Sequence, residues 1–278
     1  PPKPRLIAHF GRRISNHLEA LGRLSLAGWQ YTQSLLGFAG LVLESMLRVA
    51  LRPARWRITS WVANIDQTTL RAVPIVALMN FMVGAVVAFL GATTLRSFGA
   101  SIFTVNLVAF AFLREFGVLL AAILVAGRTA SAFAAQIGSM RANEEVDAIR
   151  VQGLDPVEML VIPRVLALLL GLPVLTLIAV LSGIFGGMVV CALELDISMR
   201  QFLAIVQDSV APRHFYLGLS KAPIMAFMIA LIGCAEGFKV SGSAQSVGEH
   251  TTSAVVQSIF TVILIDALAA LFFMEMDW

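Results

Sequence analysis

Apolar residues fall along this chain in five long stretches: Val73–Leu95, Val105–Val125, Val161–Leu193, Tyr216–Cys234 and Ala254–Phe273. A helix crossing a bilayer needs roughly 17–25 such residues, so each stretch predicts one span. The third exceeds the requirement and is expected to tilt or to project beyond the lipid. A sixth segment, Leu24–Leu51, is interrupted by Gln30, Thr32, Gln33, Ser34, Glu44 and Arg48 and flanked by basic residues. That mixture predicts an amphipathic helix lying in the interface. The expected fold is an all-α integral membrane protein with five transmembrane helices, an N-terminal interfacial helix and one short cytoplasmic helix. Two parts are expected: a basic arm with the interfacial helix over 1–60, and a membrane domain over 61–278.

The short helix lies between the second and third stretches, in Ala126–Ala167, where the acidic residues concentrate. Asn143 is placed to cap it, with Glu144 and Glu145 in the first turn, where carboxylates meet the positive end of the helix dipole. Val146, Ala148 and Ile149 give it an apolar side, Arg150 falls in its last turn, and Gly153 suits the residue just past its end. A helix near 144–152 is too short to stand alone in water. It is therefore expected to pack on its own domain, on a partner, or on both. The plainer reading is a solvated loop helix, but Val146 and Ile149 would then face water. Just before it, small residues recur every four positions, as Gly127, Ser131 and Ala135 and as Ala130, Ala134 and Gly138. Gly183 and Gly187 form another such pair. Rows of this kind let helix backbones approach closely in lipid.

Composition strengthens the membrane reading. Hydrophobic residues make up 58% of 278 and charged residues 13%, against about 25% charged in a soluble domain; the mean hydropathy is +0.85. Ten Lys and Arg precede the first stretch: Lys3, Arg5, Arg12, Arg13, Arg23, Arg48, Arg52, Arg55, Arg57 and Arg71. Arg128, Arg141, Arg150 and Arg164 surround the short helix, whereas the connection after the first stretch has only Arg96. By the positive-inside rule, the N-terminus and the short helix are cytoplasmic and the C-terminus, ending at Trp278, is outside. The net charge of +3 reflects this topology and is no sign of nucleic-acid binding. No cleavable signal sequence is expected. Cys191 and Cys234 make no disulfide framework and read as packing residues.

Four ionisable residues fall well inside the stretches: Arg114, Glu115, Lys221 and Asp266. Such groups are costly in lipid and pair or face a cavity. Their signs balance and their estimated depths agree, so all four are expected around one place in the outer half of the membrane. They read equally as ion pairs pinning helices and as a polar patch on a transport route. Leu78, Phe81, Met82 and Val86 of the first stretch are candidate lining for a lipid cavity, and are equally suited to plain bilayer contact.

No G-x-x-x-x-G-K-[ST] loop is present, His9, His17, His214 and His250 are scattered, and no Cys/His spacing suits a metal. The chain is expected to be non-catalytic, with no cofactor and no metal of its own.

Several blocks resemble the MlaE/YrbE permease family: Leu113-Arg114-Glu115-Phe116-Gly117, Ala126-Gly127-Arg128, Ala134-Ala135-Gln136-Ile137-Gly138-Ser139-Met140, Glu144-Glu145, Leu154-Asp155-Pro156, Pro163-Arg164 and the loop Ser246–Val256. The resemblance runs from about Leu41 onward. The chain departs from the family pattern at His250, where Ala is common, and at Ser253, where Arg is common. Asp147-Ala148, Gly153 and Ile162-Pro163 also resemble the short loop by which other ABC permeases contact their ATPase. The resemblance implies a homodimer of permeases in the inner membrane of a Gram-negative cell, with ATP and Mg on cytoplasmic ABC ATPase partners. It also implies a STAS-domain subunit, a periplasmic MCE-domain ring, and phospholipid moved between inner and outer membranes to support outer-membrane asymmetry. Glu144, Glu145, Val146, Ile149, Arg150 and Gly153 are then the ATPase-coupling residues. The rival readings are a secondary transporter or channel with the buried charges as an ion path, and a membrane scaffold that transports nothing.

Overall fold

The computed structural model describes residues 5–51 and 57–276. Lys3, Arg52, Arg55, Asp277 and Trp278 lie outside them, as do the side chains of Arg5, Arg12, Arg13, His9 and His17. The described residues form helices and turns, with no strand among them. The chain divides into two compact units, 1–44 and 45–278. The first consists of most of α1 (Arg5–Ala50). The second holds the end of α1 and every later element.

The membrane helices form where the apolar stretches predict them. They are α3 (Val73–Arg96), α4 (Phe103–Ala111) continuing into α5 (Gly117–Val125), α8 (Ile162–Glu194), α10 (Arg213–Lys239) and α11 (Ala244–Glu275). Between them lie α2 (Ile58–Thr68), α6 (Ser131–Ala142), α7 (Glu145–Val151) and α9 (Met199–Ser209). Among the described residues, six helical segments are long and apolar enough to cross a membrane, one more than the five expected. The additional one, Gly28–Ala50, has a mean hydropathy of 1.2, against 1.8–2.6 for the others.

The helices outrun the apolar windows. The second span does not stop at Val125: helix continues from Phe103 to Ala142 through π turns at Phe112–Phe116 and Ala126–Ala130. The residues read as an insert from Ala126 are thus largely an extension of a span. Likewise Ser246–Val256, expected as a loop, is the opening of α11, capped by the Ser243 hydroxyl accepting from the Ser246 amide at 3.1 Å. An apolar window marks where lipid lies, whereas a helix ends where its backbone meets a cap or breaker. Two shorter helices carried no strong apolar signal. One is α2; the other, α9, is held by a capping box in which Ser198 and Gln201 satisfy each other's backbone amides.

The most extensive contact joins α3 and α8. It depends on glycine: a Cβ on Gly84 would collide with the Gly183 carbonyl, and one on Gly186 with the Phe81 carbonyl. Phe112 fills the space beside Gly183, Val108 that beside Gly187. The Gly183/Gly187 pair therefore packs within the subunit. So does the row Ala130, Ala134 and Gly138, which lies against Gly233, Gly237 and Val240 of α10 and its exit. Gly127, by contrast, meets nothing within 4 Å. Cys191 and Cys234 are free and buried.

Gly84→Ala should cost about 1–3 kcal/mol, the usual penalty of overpacking, because backbone cannot move aside as a side chain can. Gly248→Ala, in an exposed turn of α11 with open space around it, should be neutral or stabilising by up to about 1 kcal/mol. Thermal unfolding of the two variants in detergent checks the contrast; equal melting temperatures would contradict it.

Candidate functional site

Lys221 is the centre of the buried charges. Its side chain is 1% exposed, and its ammonium donates to Asp266 Oδ1 at 2.9 Å and to Glu115 Oε2. Arg114 Nε lies 3.5 Å from the other Glu115 oxygen, and its guanidinium stands over the Phe110 ring at 5.6 Å. The structure thus brings all four sequence-predicted charges together, two of each sign. Local backbone explains how. The Phe112–Phe116 turn carries Arg114 and Glu115, and Gly218 of α10 lets that helix approach it, since a Cβ there would strike the Leu113 carbonyl. Lys221 follows one turn after Gly218. Asp266 closes the network from α11, on a buried stripe with Ala254, Ser258 and Val262 at four-residue spacing.

At the opposite end of these helices, α10 and α11 share a second network that sequence reasoning missed. Glu236, 2% exposed, accepts from Lys239 Nζ at 2.7 Å and lies 2.8 Å from His250 Nδ1. Ser253 also bonds it. The two positions that depart from the family pattern, His250 and Ser253, therefore meet on one buried carboxylate. Glu236 sits just beyond the apolar window that ends at Cys234, so it does not read as a charge inside a span.

The short helix is one residue shorter at each end than expected and differently capped. Asn143 closes α6, while Glu144 precedes α7 with φ +60°, a left-handed conformation that L side chains rarely adopt. Its far end follows expectation: Gly153, φ +74°, donates to the Arg150 carbonyl and Leu154 to that of Ile149, at 2.9 and 3.2 Å. This is the Schellman arrangement. Val146 is buried by its own domain, at 2%, and Ile149 is half-buried, so the helix packs on its own domain, one of the two supports expected for it. The exposed apolar residues are instead Val151 at 89% and Leu154 at 43%. Glu144, Glu145 and Arg150 are exposed, the last paired with Asp147 at 3.0 Å.

Leu78, Met82 and Val86 form an exposed row on α3, whereas Phe81 turns inward to Phe185, with ring centroids 5.8 Å apart. Several surface cavities open among the described residues of the second unit. One of about 210 Å³ lies among Val49, Ile58, Trp61, Ile162 and Leu166, a second among Phe103, Asn106, Ile205 and Asp208, and a third among Gln67, Arg71, Arg128 and Gln136. Neither the α3 row nor the charge network lines any of them. No group of three or more metal-ligating side chains is present among the described residues.

Replacing Lys221 with Met strands two carboxylates. It should destabilise the domain by about 3–5 kcal/mol, as loss of one partner from a buried ion pair does. Lys221→Met with Asp266→Asn should recover part of that loss, because Glu115 keeps Arg114. Denaturant unfolding in detergent measures both; a single variant as stable as the parent would show that the network holds nothing together.

Residues 61–272 match the family described as Permease MlaE. The chain is 35% identical to a probable ABC transporter permease protein of Rickettsia felis, over 91% of this chain and 92% of that one. It is 37% identical to a probable ABC transporter permease protein of Synechocystis, over 60% and 64% of the two chains. It is also 30% identical to the chloroplastic protein TRIGALACTOSYLDIACYLGLYCEROL 1 of Arabidopsis thaliana, over 84% and 66%. These likenesses set aside the secondary transporter, channel and scaffold readings. The chain belongs to the MlaE permease family of ABC transporter permeases.

Proposed function

We propose that this chain is the membrane subunit of an ATP-driven transporter that moves phospholipids between the inner and outer membranes of a Gram-negative cell and so supports outer-membrane lipid asymmetry. Family membership supports the permease role. The Arabidopsis relative, which bears the name of a glycerolipid, supports a lipid cargo. ATP and Mg belong to a separate cytoplasmic ATPase, two copies serving a permease homodimer, with a STAS-domain subunit and a periplasmic MCE-domain ring completing the assembly. The chain itself carries out no covalent chemistry.

The observation that carries this reading is the exposed apolar corner of Val151 and Leu154 on a short helix between two spans. A rigid Schellman end presents both side chains, and exposed apolar groups at such a place suit a protein partner. The ATPase therefore engages Val151 and Leu154, with Glu144, Glu145 and Arg150 around them; Val146 and Ile149 hold the helix to its own domain. The four-charge network pins α10 and α11 to the π turn beside the transport route. Gly28–Ala50, the least apolar candidate span, lies in the interface. Five helices cross, so the N-terminus is cytoplasmic and the C-terminus periplasmic.

Val151→Asp should reduce ATPase recovery with the tagged permease, by about 2 kcal/mol or more if Val151 is a contact hot spot, while the permease still accumulates in the membrane. Undiminished ATPase recovery would place the coupling surface elsewhere. Val146→Asp should instead lower the amount of folded permease, because its charge would be buried in the domain.

A Cys introduced at Ser101 should react with an impermeant maleimide from outside the inner membrane, and one at Asn143 only after permeabilisation. A Cys at Met276 should label from outside; labelling only from inside would mean that a different set of helices crosses. The buried Cys191 and Cys234 keep the background low.

A further inference from the structure

The third cavity, of about 220 Å³, is lined by Gln67, Thr68, Arg71, Arg128, Thr129, Ala132, Phe133 and Gln136. No acidic residue lines it. Its donors are not spent. Arg128 gives one Nη1 bond, at 3.1 Å, to the Gln67 carbonyl at the end of α2, and no other partner is found for it among the described residues. Arg71 pairs through Nε and Nη2 with Asp66 at 3.1 and 3.0 Å, which leaves its other terminal nitrogen. Gln136 accepts from Arg164 Nη2 at 3.0 Å through its oxygen, so its amide NH₂ remains for another acceptor. Thr129 is 2% exposed, and its hydroxyl is buried without a partner among the described residues. Two guanidiniums stand against the single carboxylate of Asp66, with the Arg164 guanidinium behind, over the Phe133 ring at 5.5 Å.

Surplus donors and positive charge call for an anion with several acceptor oxygens. Guanidiniums bind phosphate in forked pairs. The place in the fold narrows the source. Arg71 lies in the turn that opens α3, Arg128 in the π turn where the second span passes into α6, and both belong to segments long and apolar enough to cross a membrane. Basic pockets between spans at the membrane surface hold lipid head groups. The volume is below the roughly 300–1,000 Å³ of pockets that enclose a drug-sized ligand, which suits a head group whose acyl chains stay in the bilayer.

We infer that this cavity is a binding site for the phosphodiester of a membrane phospholipid, held by Arg71, Arg128 and the amide of Gln136. The site lies apart from the Lys221 network and stands whether or not phospholipid is the cargo. A lipid seated there ties α2, the start of α3 and the start of α6 together, on the side of the molecule that leads to α7.

Native mass spectrometry of the full chain, released from an uncharged, phosphate-free detergent, tests this. The probes are dioleoylphosphatidylglycerol, dioleoylglycerol with the same tails and no phosphate, and inorganic phosphate. Phosphatidylglycerol should remain bound and dioleoylglycerol should not. Arg71→Gln with Arg128→Gln should weaken phosphatidylglycerol binding roughly tenfold or more, and the corresponding pair of Lys variants should restore much of it. Gln136→Glu keeps the oxygen that Arg164 uses while adding negative charge, so it should weaken binding without loss of fold. Inorganic phosphate should displace the lipid only in large excess. Equal retention of dioleoylglycerol, or unchanged phosphatidylglycerol binding in the double Gln variant, would overturn the site. Saturation by inorganic phosphate that excludes the lipid at low excess would overturn its assignment to a head group. A transport assay that fails with phospholipid while these binding results hold would count against the cargo and leave the site standing.

Discussion

The contact between α3 and α8 is the constraint on which much of the second unit rests. Lipid tails are as apolar as leucine, so helices in a bilayer gain little from hiding apolar surface against one another and depend on close packing instead. Gly84, Gly183 and Gly186 allow backbone to touch backbone, which no larger residue permits. Once α8 is seated there, Phe112 and Val108 of the second span have defined positions beside Gly183 and Gly187. The register of α8 thus sets the place of the π turn that carries Arg114 and Glu115.

That π turn is where packing becomes electrostatics. A widened turn displaces the side chains that follow it, and Gly218 lets α10 close on it. Lys221 then meets Glu115 and Asp266 together. Desolvating an ammonium this completely is favourable only when its donors are matched, and two carboxylates on different helices match them. The network thereby specifies which turn of α10 lies opposite which turn of α11. Apolar contacts alone would specify this weakly, because α11 also carries a near-uniform exposed field of Phe260, Ile263, Leu264, Leu268 and Leu271.

What the sequence reveals divides along physical lines. The spans were legible because hydropathy reports the solvent around a helix, and the Lys221 cluster was legible because unpaired charge in lipid is costly enough to force pairing among few candidates. The ends of the helices were not legible in the same way: Phe103–Ala142 runs on past its apolar part, because hydropathy marks where the apolar surroundings end and not where the helix does. Gly84 gave no sign of its partner, since a small residue announces a close approach without naming what approaches. On the short helix, the sequence pointed to Val146, Ala148 and Ile149 and passed over Val151; the way α7 leans on α6 placed Val146 inside and left Val151 outside. Glu236 escaped notice because its burial comes from α10 and α11 meeting, while its neighbours Lys239 and Ser241 read as the polar end of a span.

The two networks and the short helix share one element. α6, which leads into α7, and the π turn before it pack along α10 and its exit through Ala130, Ala134 and Gly138, and α8, which follows α7, packs on α10 as well. Both flanks of the short helix therefore bear on the helix that holds Lys221 at one end and Glu236 at the other. A displacement of α7 by a partner has no soft joint in which to dissipate before it reaches α10, because backbone contacts at Gly233 and Gly237 do not yield as flexible side chains would. Movement of α10 along its axis past α11 would part Lys221 from Asp266 and Glu236 from His250 together. Each buried carboxylate has only a few donors within reach, so intermediate positions leave charge unmatched and are costly. A helix held in that way favours discrete positions over continuous sliding.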